Sequence, residues 1–378
     1  LIRGLVGIFM FGIQTYFLSK AFSYLIRILI FSVDNALLEQ EIFLIFLLGL
    51  NIIDGVAFLL AIVFQIYLFS KSHKFNKLFI NLSAIIVYFG ILLFFLVVIL
   101  YDYEYVTRGF LDLFIYENFF IKANIAPIFT IAGTIFSYFS IILLNYGDFT
   151  RYVKDESELK KGNLSLFLNL IIFSFFAVFI VIGSDFILNK NLENMSRILT
   201  NPTDIIGKFD NILITVTVLF FILFASSSTN LIANYIPTQN SLLNFMPSKL
   251  DLKSTAIIIF IFGFVIGIFW LTLLSQIGTL SFIDTFGSFF GPFFGIIITD
   301  YYLIKKSKLV SKDIFSTDKN GAYFYSSGWH FKAIYSLVIG FIFAAATIWN
   351  ENLMHLQSYS WIGGMLVSSL TYYLLASR

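Results

Sequence analysis

The chain has 378 residues, of which 59% are hydrophobic and 12% charged, and its formal net charge is +2; the mean hydropathy is +0.90. No water-soluble domain of this length could keep so apolar a chain in solution, so its solvent is a bilayer, and so small a net charge gives no electrostatic reason to invoke nucleic acid. The sequence contains no cysteine, which removes disulfides, thiolate metal sites and cysteine nucleophiles.

Only helices and closed barrels satisfy their backbone groups in lipid. Runs such as Phe79 to Ile99 are apolar on every side and lack the strict alternation of a barrel strand, so the chain is a helix bundle. A span takes roughly 20 mostly apolar residues, and the sequence predicts ten, over 4–31, 42–69, 78–101, 124–146, 164–188, 207–236, 255–276, 279–304, 332–350 and 357–376. Threading these spans back and forth puts 17 of the 24 lysines and arginines on the side where the chain starts. That side is therefore predicted to be cytoplasmic, and with an even number of spans both ends lie there. The polar connections are too short to bury a core of their own, so a functional site has to lie between helices. Leu1 leads into an apolar run by Leu5, with neither a basic segment nor a cleavage site ahead of it.

Four spans break the apolar pattern. Gln14 lies inside the first, behind Gly12; a lone amide suits either an interhelical contact or a ligand. The fourth carries Gly133, Thr134, Ser137, Ser140, Asn145 and Gly147 before Asp148 and Arg151. Small and hydroxyl residues of this kind allow close packing and also mark helices that unwind around a ligand. The spacing of Asp148 and Arg151 predicts a local salt bridge or a gate contact. The sixth is the most informative, with Ser226, Ser227, Ser228, Thr229, Asn230 and Asn234 in nine residues. Ala225, Ser228 and Thr229 fall at i, i+3 and i+4, which places a carbonyl and two hydroxyls on one helix face, a neutral oxygen set suited to a hard monovalent cation. Asn230 and Asn234 form a second i, i+4 pair able to present amide donors and acceptors to a polar ligand. The eighth holds Gly287, Gly291, Pro292 and Gly295, a candidate bend or gate.

Asp54 and Asp284 are embedded or nearly so, and either could relay a proton or ion. All four tryptophans, Trp270, Trp329, Trp349 and Trp361, fall near predicted helix ends, as an interfacial aromatic belt would place them. His73, His330 and His355 all lie at loops or helix ends, which with the lack of cysteine argues against a membrane-embedded enzyme. A channel would need a pore-lining ring, and none is visible.

Five segments in order, RGLVGIFMFGIQTY at 3–16, NYGDFTRY at 145–152, SSTNLIAN at 227–234, FGPFFGIIITDYYLIKK at 290–306 and YFYSSGWHFKAI at 323–334, resemble the nucleobase:cation symporter family, which includes permeases for allantoin, hydantoins, uracil and cytosine. The resemblance implies an all-α polytopic protein of the cytoplasmic membrane with twelve helices, two inverted five-helix repeats and a mid-membrane substrate site beside broken first and sixth helices. So aligned, the chain begins at the family's third helix. It forms one transporter domain, with 1–122 the remainder of the first repeat, 123–304 the second and 305–378 two C-terminal helices. Residue by residue, Gln14 and Asn234 match the ligand-bonding glutamine and asparagine, with Asn230 one turn before. Ala225, Ser228 and Thr229 match the sodium ligands, and the ring-stacking positions fall at Met10 and Phe139. Met10 departs from the usual tryptophan and gives up much of the flat π surface. The implied activity is symport of a small heterocycle with Na⁺ or H⁺ by a monomer; a non-nucleobase polar solute, or an inactive fragment, is the alternative.

Overall fold

The computed structural model describes residues 2–40, 42, 45–47, 49–101, 103–113, 122–189, 201–208, 211–270, 279–314, 316 and 318–377. In chain order the elements are α1 (Ile2–Val33), a two-residue strand pair β1 (Phe46–Leu47) and β2 (Leu50–Asn51), α2 (Ile52–Phe69), α3 (His73–Tyr101), α4 (Tyr103–Leu113), α5 (Lys122–Leu144), α6 (Tyr146–Thr150), α7 (Glu156–Asn189), α8 (Pro202–Ile206) and α9 (Ile212–Thr229). A π-helical segment, π1 (Asn230–Tyr235), joins α9 to α10 (Ile236–Phe245). Then come α11 (Leu252–Phe269), α12 (Thr279–Ile298), a second π segment π2 (Thr299–Ile304), α13 (Phe331–Trp349) and α14 (Ser360–Ala376). Among the described residues, eight helical stretches are long and apolar enough to cross a membrane.

Several predicted boundaries move, for local reasons. The second span does not begin at 42. Gly49 takes φ +77° between β1 and β2, a conformation that suits glycine, and Asn51 then caps α2 by accepting from the Asp54 N–H at 2.8 Å. α7 begins eight residues before its predicted start, because its first turns are polar helix carrying the pairs Lys160–Glu156 and Lys161–Glu158. α10 extends the sixth span to Phe245, and α4 and α8 are helices where polar connections were expected. The fourth span does not unwind at Gly133–Ser140: α5 is helical from Lys122 to Leu144, and the turn comes only at Asn145. α12 likewise runs through Pro292 without a break. Residues 271–276 of the seventh predicted span lie outside the described residues.

The chain divides into two compact units, residues 1–119 with 148–274, and 120–147 with 275–378. In the first, α1 is the central helix, packed on α2, α9, α10, π1 and α11. Its crossing with α11 is close: a Cβ on Gly12 would stand 2.6 Å from the Gly263 carbonyl oxygen, and one on Gly263 would stand 2.4 Å from Phe11 Cδ1. Lipid tails give helices no hydrophobic reason to associate, so such small-residue contacts carry the packing. The core beyond includes Leu18, Ala61, Phe94, Val218 and Leu219, while apolar side chains such as Leu59, Leu164 and Phe167 face outward, as a bilayer permits.

In the second unit α12 packs on α5, α13 and α14. Two of the five family-like segments meet here. Lys305 Nζ lies 3.1 Å from Asp300 and donates to the Tyr325 hydroxyl at 3.3 Å, Tyr372 donates to Asp300 at 2.7 Å, and the Tyr325 ring stacks on His330 at 3.9 Å. Burial holds His330 below its usual pKa. The tryptophans divide. Trp329 and Trp349 are more than 60% exposed, whereas Trp270 and Trp361 are buried, Trp361 between Phe136 and Phe294. For those two the belt expectation is corrected: their rings pack inside protein.

Candidate functional site

The polar segment of the sixth predicted span falls where the helix changes register. α9 ends at Thr229 and π1 carries Asn230 to Tyr235; π segments inside helices are frequent at functional sites. π1 is held against α1 by an aromatic group in which Tyr235 faces Phe11 (6.3 Å), Phe69 (5.1 Å) and Phe260 (5.6 Å).

Beneath these rings lies a buried polar network. Asn230, fully buried, donates through Nδ2 towards three acceptors: the Phe11 carbonyl (3.2 Å), Thr15 Oγ1 (3.2 Å) and Gln65 Oε1 (2.5 Å). Gln65, also fully buried, donates to Thr15 Oγ1 (3.0 Å) and to the Ala61 carbonyl (3.4 Å). Thr15 donates to the Phe11 carbonyl at 2.7 Å. Asn234 donates through Nδ2 to Asn230 Oδ1 at 2.9 Å, and its own Oδ1 has no protein partner among the described residues. A network this complete is rigid.

Asn230 is thus spent on protein contacts, and Asn234 is the member with an unused edge. Met10 and Gln14 precede Phe11 and Thr15 by one position each and form the adjacent i, i+4 face of α1; both are half-buried. Gln14 has no protein hydrogen bond among the described residues. Phe139 belongs to the other unit, 36% exposed and edge-on to Tyr138. Gln65 and Thr15 escaped the sequence analysis, although a lone amide in the apolar run IIDGVAFLLAIVFQIYLF was a legible signal.

On the opposite side of α9, Ser228 donates to the Phe224 carbonyl at 2.7 Å and lies 3.2 Å from the Ala225 carbonyl oxygen, so its lone pairs remain open. Thr229 is exposed, with no protein hydrogen bond among the described residues. Ser228 Oγ and the Ala225 carbonyl oxygen are neutral oxygens of the type a hard monovalent cation takes as ligands, and only these two are placed side by side. The cavity that Ala225 borders, about 200 Å³ lined by Phe94, Ile180, Val218 and Ile222 among others, is apolar and does not suit a polar ligand. A second cavity, about 350 Å³, opens beside Ile232 and Ile236 and is lined by His73, Asn76, Lys77, Asn81 and Asp148.

The charged candidates resolve differently from expectation. Asp148 does not pair with Arg151. Arg3 Nη2 stands 3.5 Å from its Oδ2, an ion-pair contact without hydrogen-bond geometry, and Asn240 donates to its Oδ1 at 3.0 Å. Arg151 instead lies over the Tyr152 ring at 4.9 Å. Asp54 is engaged by Arg27 (3.4 Å) and Ser23 (2.5 Å). Asp284, 2% exposed, accepts from Gln357 (2.8 Å) and Thr134 (3.4 Å); its Oδ1 is buried without a hydrogen bond, and no cation faces it among the described residues.

The profile of the permeases for cytosine/purines, uracil, thiamine and allantoin matches residues 1–368. The chain belongs to this permease family. Among curated relatives, the purine-uracil permease NCS1 of Arabidopsis thaliana is 28% identical over 206 residues, 54% of this chain and 33% of that protein. The allantoin permease of Bacillus subtilis is 25% identical over 235 residues, 62% of this chain and 46% of that one. The chain therefore spans less than half the length of these relatives. Its fold is that of Mhp1: the inward-facing structure matches with a TM-score of 0.65 at 16% identity over 100% of this chain and 74% of that one. The closed structure of Mhp1, a nucleobase-cation-symport-1 family transporter with bromovinylhydantoin bound, matches at 0.65 and 17% identity over 98% of this chain and 73% of that one. The chain is accordingly a predominantly helical, multi-pass membrane protein.

Proposed function

We propose that this permease carries a small amide-bearing heterocycle of the allantoin, hydantoin, uracil and cytosine class across the cytoplasmic membrane by cation-coupled symport. The observation that carries the reading is Asn234: its amide is fixed on one side by Asn230 and open on the other, beside a network whose other amides are spent on protein contacts. Such an edge accepts from a ring N–H and donates to a ring carbonyl, and Gln14 offers a second free amide on the neighbouring α1 face. Met10 contacts the ring through its thioether. The assignment of Phe139, which belongs to the other unit, rests on the family resemblance alone. The cavity beside Ile232 and Ile236, with His73, Asn76, Lys77, Asn81 and Asp148 among its lining residues, lies next to the segment that bears Asn234.

Ala225, Ser228 and Thr229 would hold Na⁺, whose gradient supplies the free energy of uptake. α5 and α14 join the eight long spans to give ten, arranged as the inverted repeats described above, with both ends cytoplasmic and the protein a monomer. The test is uptake of labelled allantoin, hydantoin, uracil and cytosine into vesicles with and without a Na⁺ gradient. Uptake of one compound is expected to fall at least tenfold without the gradient, and Ser228→Ala to raise the Na⁺ needed for half-maximal uptake by roughly tenfold, the loss of one cation ligand. Uptake indifferent to both would remove the sodium assignment.

A second reading has a specific observation behind it: Asp284 is a carboxyl group buried among neutral partners, able to bind and release a proton inside the bundle. If the coupling ion is a proton, uptake follows a pH gradient with no Na⁺ present, and Asp284→Asn abolishes that dependence while leaving exchange of labelled for unlabelled substrate in place. Gradient-driven uptake unaltered in Asp284→Asn would exclude it.

A further inference from the structure

We infer that Gln65 is a positioning residue that sets the hydrogen-bonding polarity of the substrate site, so that the site selects for heterocycles bearing a ring N–H; this rests on the assignment of Asn234 to that site. The logic runs outward from groups with no choice. Backbone carbonyls only accept, so the Asn230 atom 3.2 Å from the Phe11 carbonyl has to be the nitrogen, and the Gln65 atom 3.4 Å from the Ala61 carbonyl likewise. Gln65 Oε1 is then turned to Asn230 and takes its shortest bond, 2.5 Å. Thr15 closes the arrangement, donating to Phe11 and accepting from both amides. With Asn230 held this way, its oxygen faces Asn234 and can be satisfied only by a donor, so Asn234 has to turn its nitrogen inward. The edge left over is its carbonyl oxygen, an acceptor. Were Asn230 free to flip, Asn234 would flip with it and present an NH₂ group in the same place, which favours a ring carbonyl or an unprotonated ring nitrogen and tolerates N-methylation.

The Phe11 carbonyl favours the same orientation of Asn230 and shares this role, but at 3.2 Å against 2.5 Å to Gln65 Oε1 it makes the weaker bond. Gln65 is the one buried polar side chain in the second half of α2, two hydrogen bonds removed from the amide it orients. Its effect is therefore on selectivity, through Asn230, and not through contact with substrate.

The test uses the whole protein purified in detergent. Whichever of allantoin, hydantoin, uracil and cytosine binds best is measured against its N-methylated forms, on wild type, Gln65→Leu, Asn234→Ala and the double variant. Wild type is expected to discriminate against methylation of at least one ring nitrogen by about tenfold or more, a lost hydrogen bond to an oriented acceptor. Gln65→Leu is expected to bring that ratio to about threefold or less while the unmodified compound still binds, and in the Asn234→Ala background to change nothing further, since coupled residues are not additive. Thr15→Val, which removes the hydroxyl that anchors Gln65, is expected to shift the ratio in the same direction and serves if Gln65→Leu does not fold. A discrimination ratio unchanged in Gln65→Leu and Thr15→Val, or a Gln65→Leu effect that persists undiminished without Asn234, overturns the role of Gln65 alone. A discrimination that Asn234→Ala leaves intact, or no binding of any of the four compounds, overturns the substrate-site reading beneath it as well.

Discussion

Asn234→Ala is expected to reduce uptake of the preferred heterocycle by on the order of 10- to 100-fold, the loss of one well-oriented hydrogen bond in a desolvated site, with the protein still folded and inserted. The two parts of this expectation come from the two sides of one amide. On the ligand side, Asn234 Oδ1 has no protein partner among the described residues, so its removal deletes a substrate contact and repays nothing. On the protein side, Asn234 donates a single bond, to Asn230 Oδ1 at 2.9 Å. Its loss leaves one acceptor unpaired at a cost of about 1–3 kcal/mol, a penalty for a long helical bundle and not its collapse. Initial uptake rates over a range of substrate concentration, normalised to the amount of protein in the membrane, separate the two. An Asn234→Ala protein with wild-type uptake would place the substrate elsewhere. Asn234→Asp is the informative companion, because a carboxylate keeps the acceptor but loses the N–H that Asn230 requires, so its defect should be one of stability as well as of transport.

The spans were legible because lipid imposes one rule along the whole chain. A helix in a bilayer has to be apolar for about 20 residues, and the structure moves most predicted ends by only a few residues. The exceptions are places where the chain leaves the bilayer and ordinary aqueous rules return: the β1–β2 pair turned by Gly49, the charged first turns of α7, and α4. The polar segment at Ser226–Asn234 was legible for the opposite reason, since six polar residues where apolar ones are expected need an explanation. What the sequence could not show is which of them face one another. Asn230 and Asn234 look equivalent at i, i+4, yet Asn230 is consumed by Gln65, 165 positions away, and by Phe11 and Thr15, 219 and 215 away. Periodicity describes a helix face and is silent on the face opposite. Asp148 makes the same point: the helical partner at i+3, Arg151, was visible, while Arg3 and Asn240, the partners it takes, are brought to it only by the fold. The tryptophans mislead similarly, because an end of a helix can lie at the membrane interface or inside the protein, and composition does not distinguish the two.

The largest effect on stability is expected at Asn230. Asn230→Asp is nearly isosteric, yet it should destabilise the protein more than Asn230→Leu and far more than Asn234→Ala, by about 3–5 kcal/mol, the cost of an uncompensated buried charge. The aspartate would turn an acceptor towards the Phe11 carbonyl at 3.2 Å and towards Gln65 Oε1 at 2.5 Å. Gln65 could rotate its nitrogen to meet it, but its oxygen would then oppose the Ala61 carbonyl, and nothing can rotate at Phe11, whose acceptor is backbone. Asn234 could still donate to the new carboxylate and the Thr15 hydroxyl could turn to donate as well, but only by giving up its bond to the Phe11 carbonyl, while the contacts to Phe11 and Gln65 become repulsive. Leucine fills a similar volume and repels nothing; it leaves Gln65 Oε1 unpaired at about 1–3 kcal/mol, while the Asn234 amide can turn towards its open side. Thermal unfolding of the purified proteins in one detergent gives the order directly: wild type, Asn234→Ala, Asn230→Leu, Asn230→Asp from most to least stable. If Asn230→Asp unfolds above Asn230→Leu, the carboxyl group has found a donor, and the donor directions that orient Asn234 are not those that hold this network together.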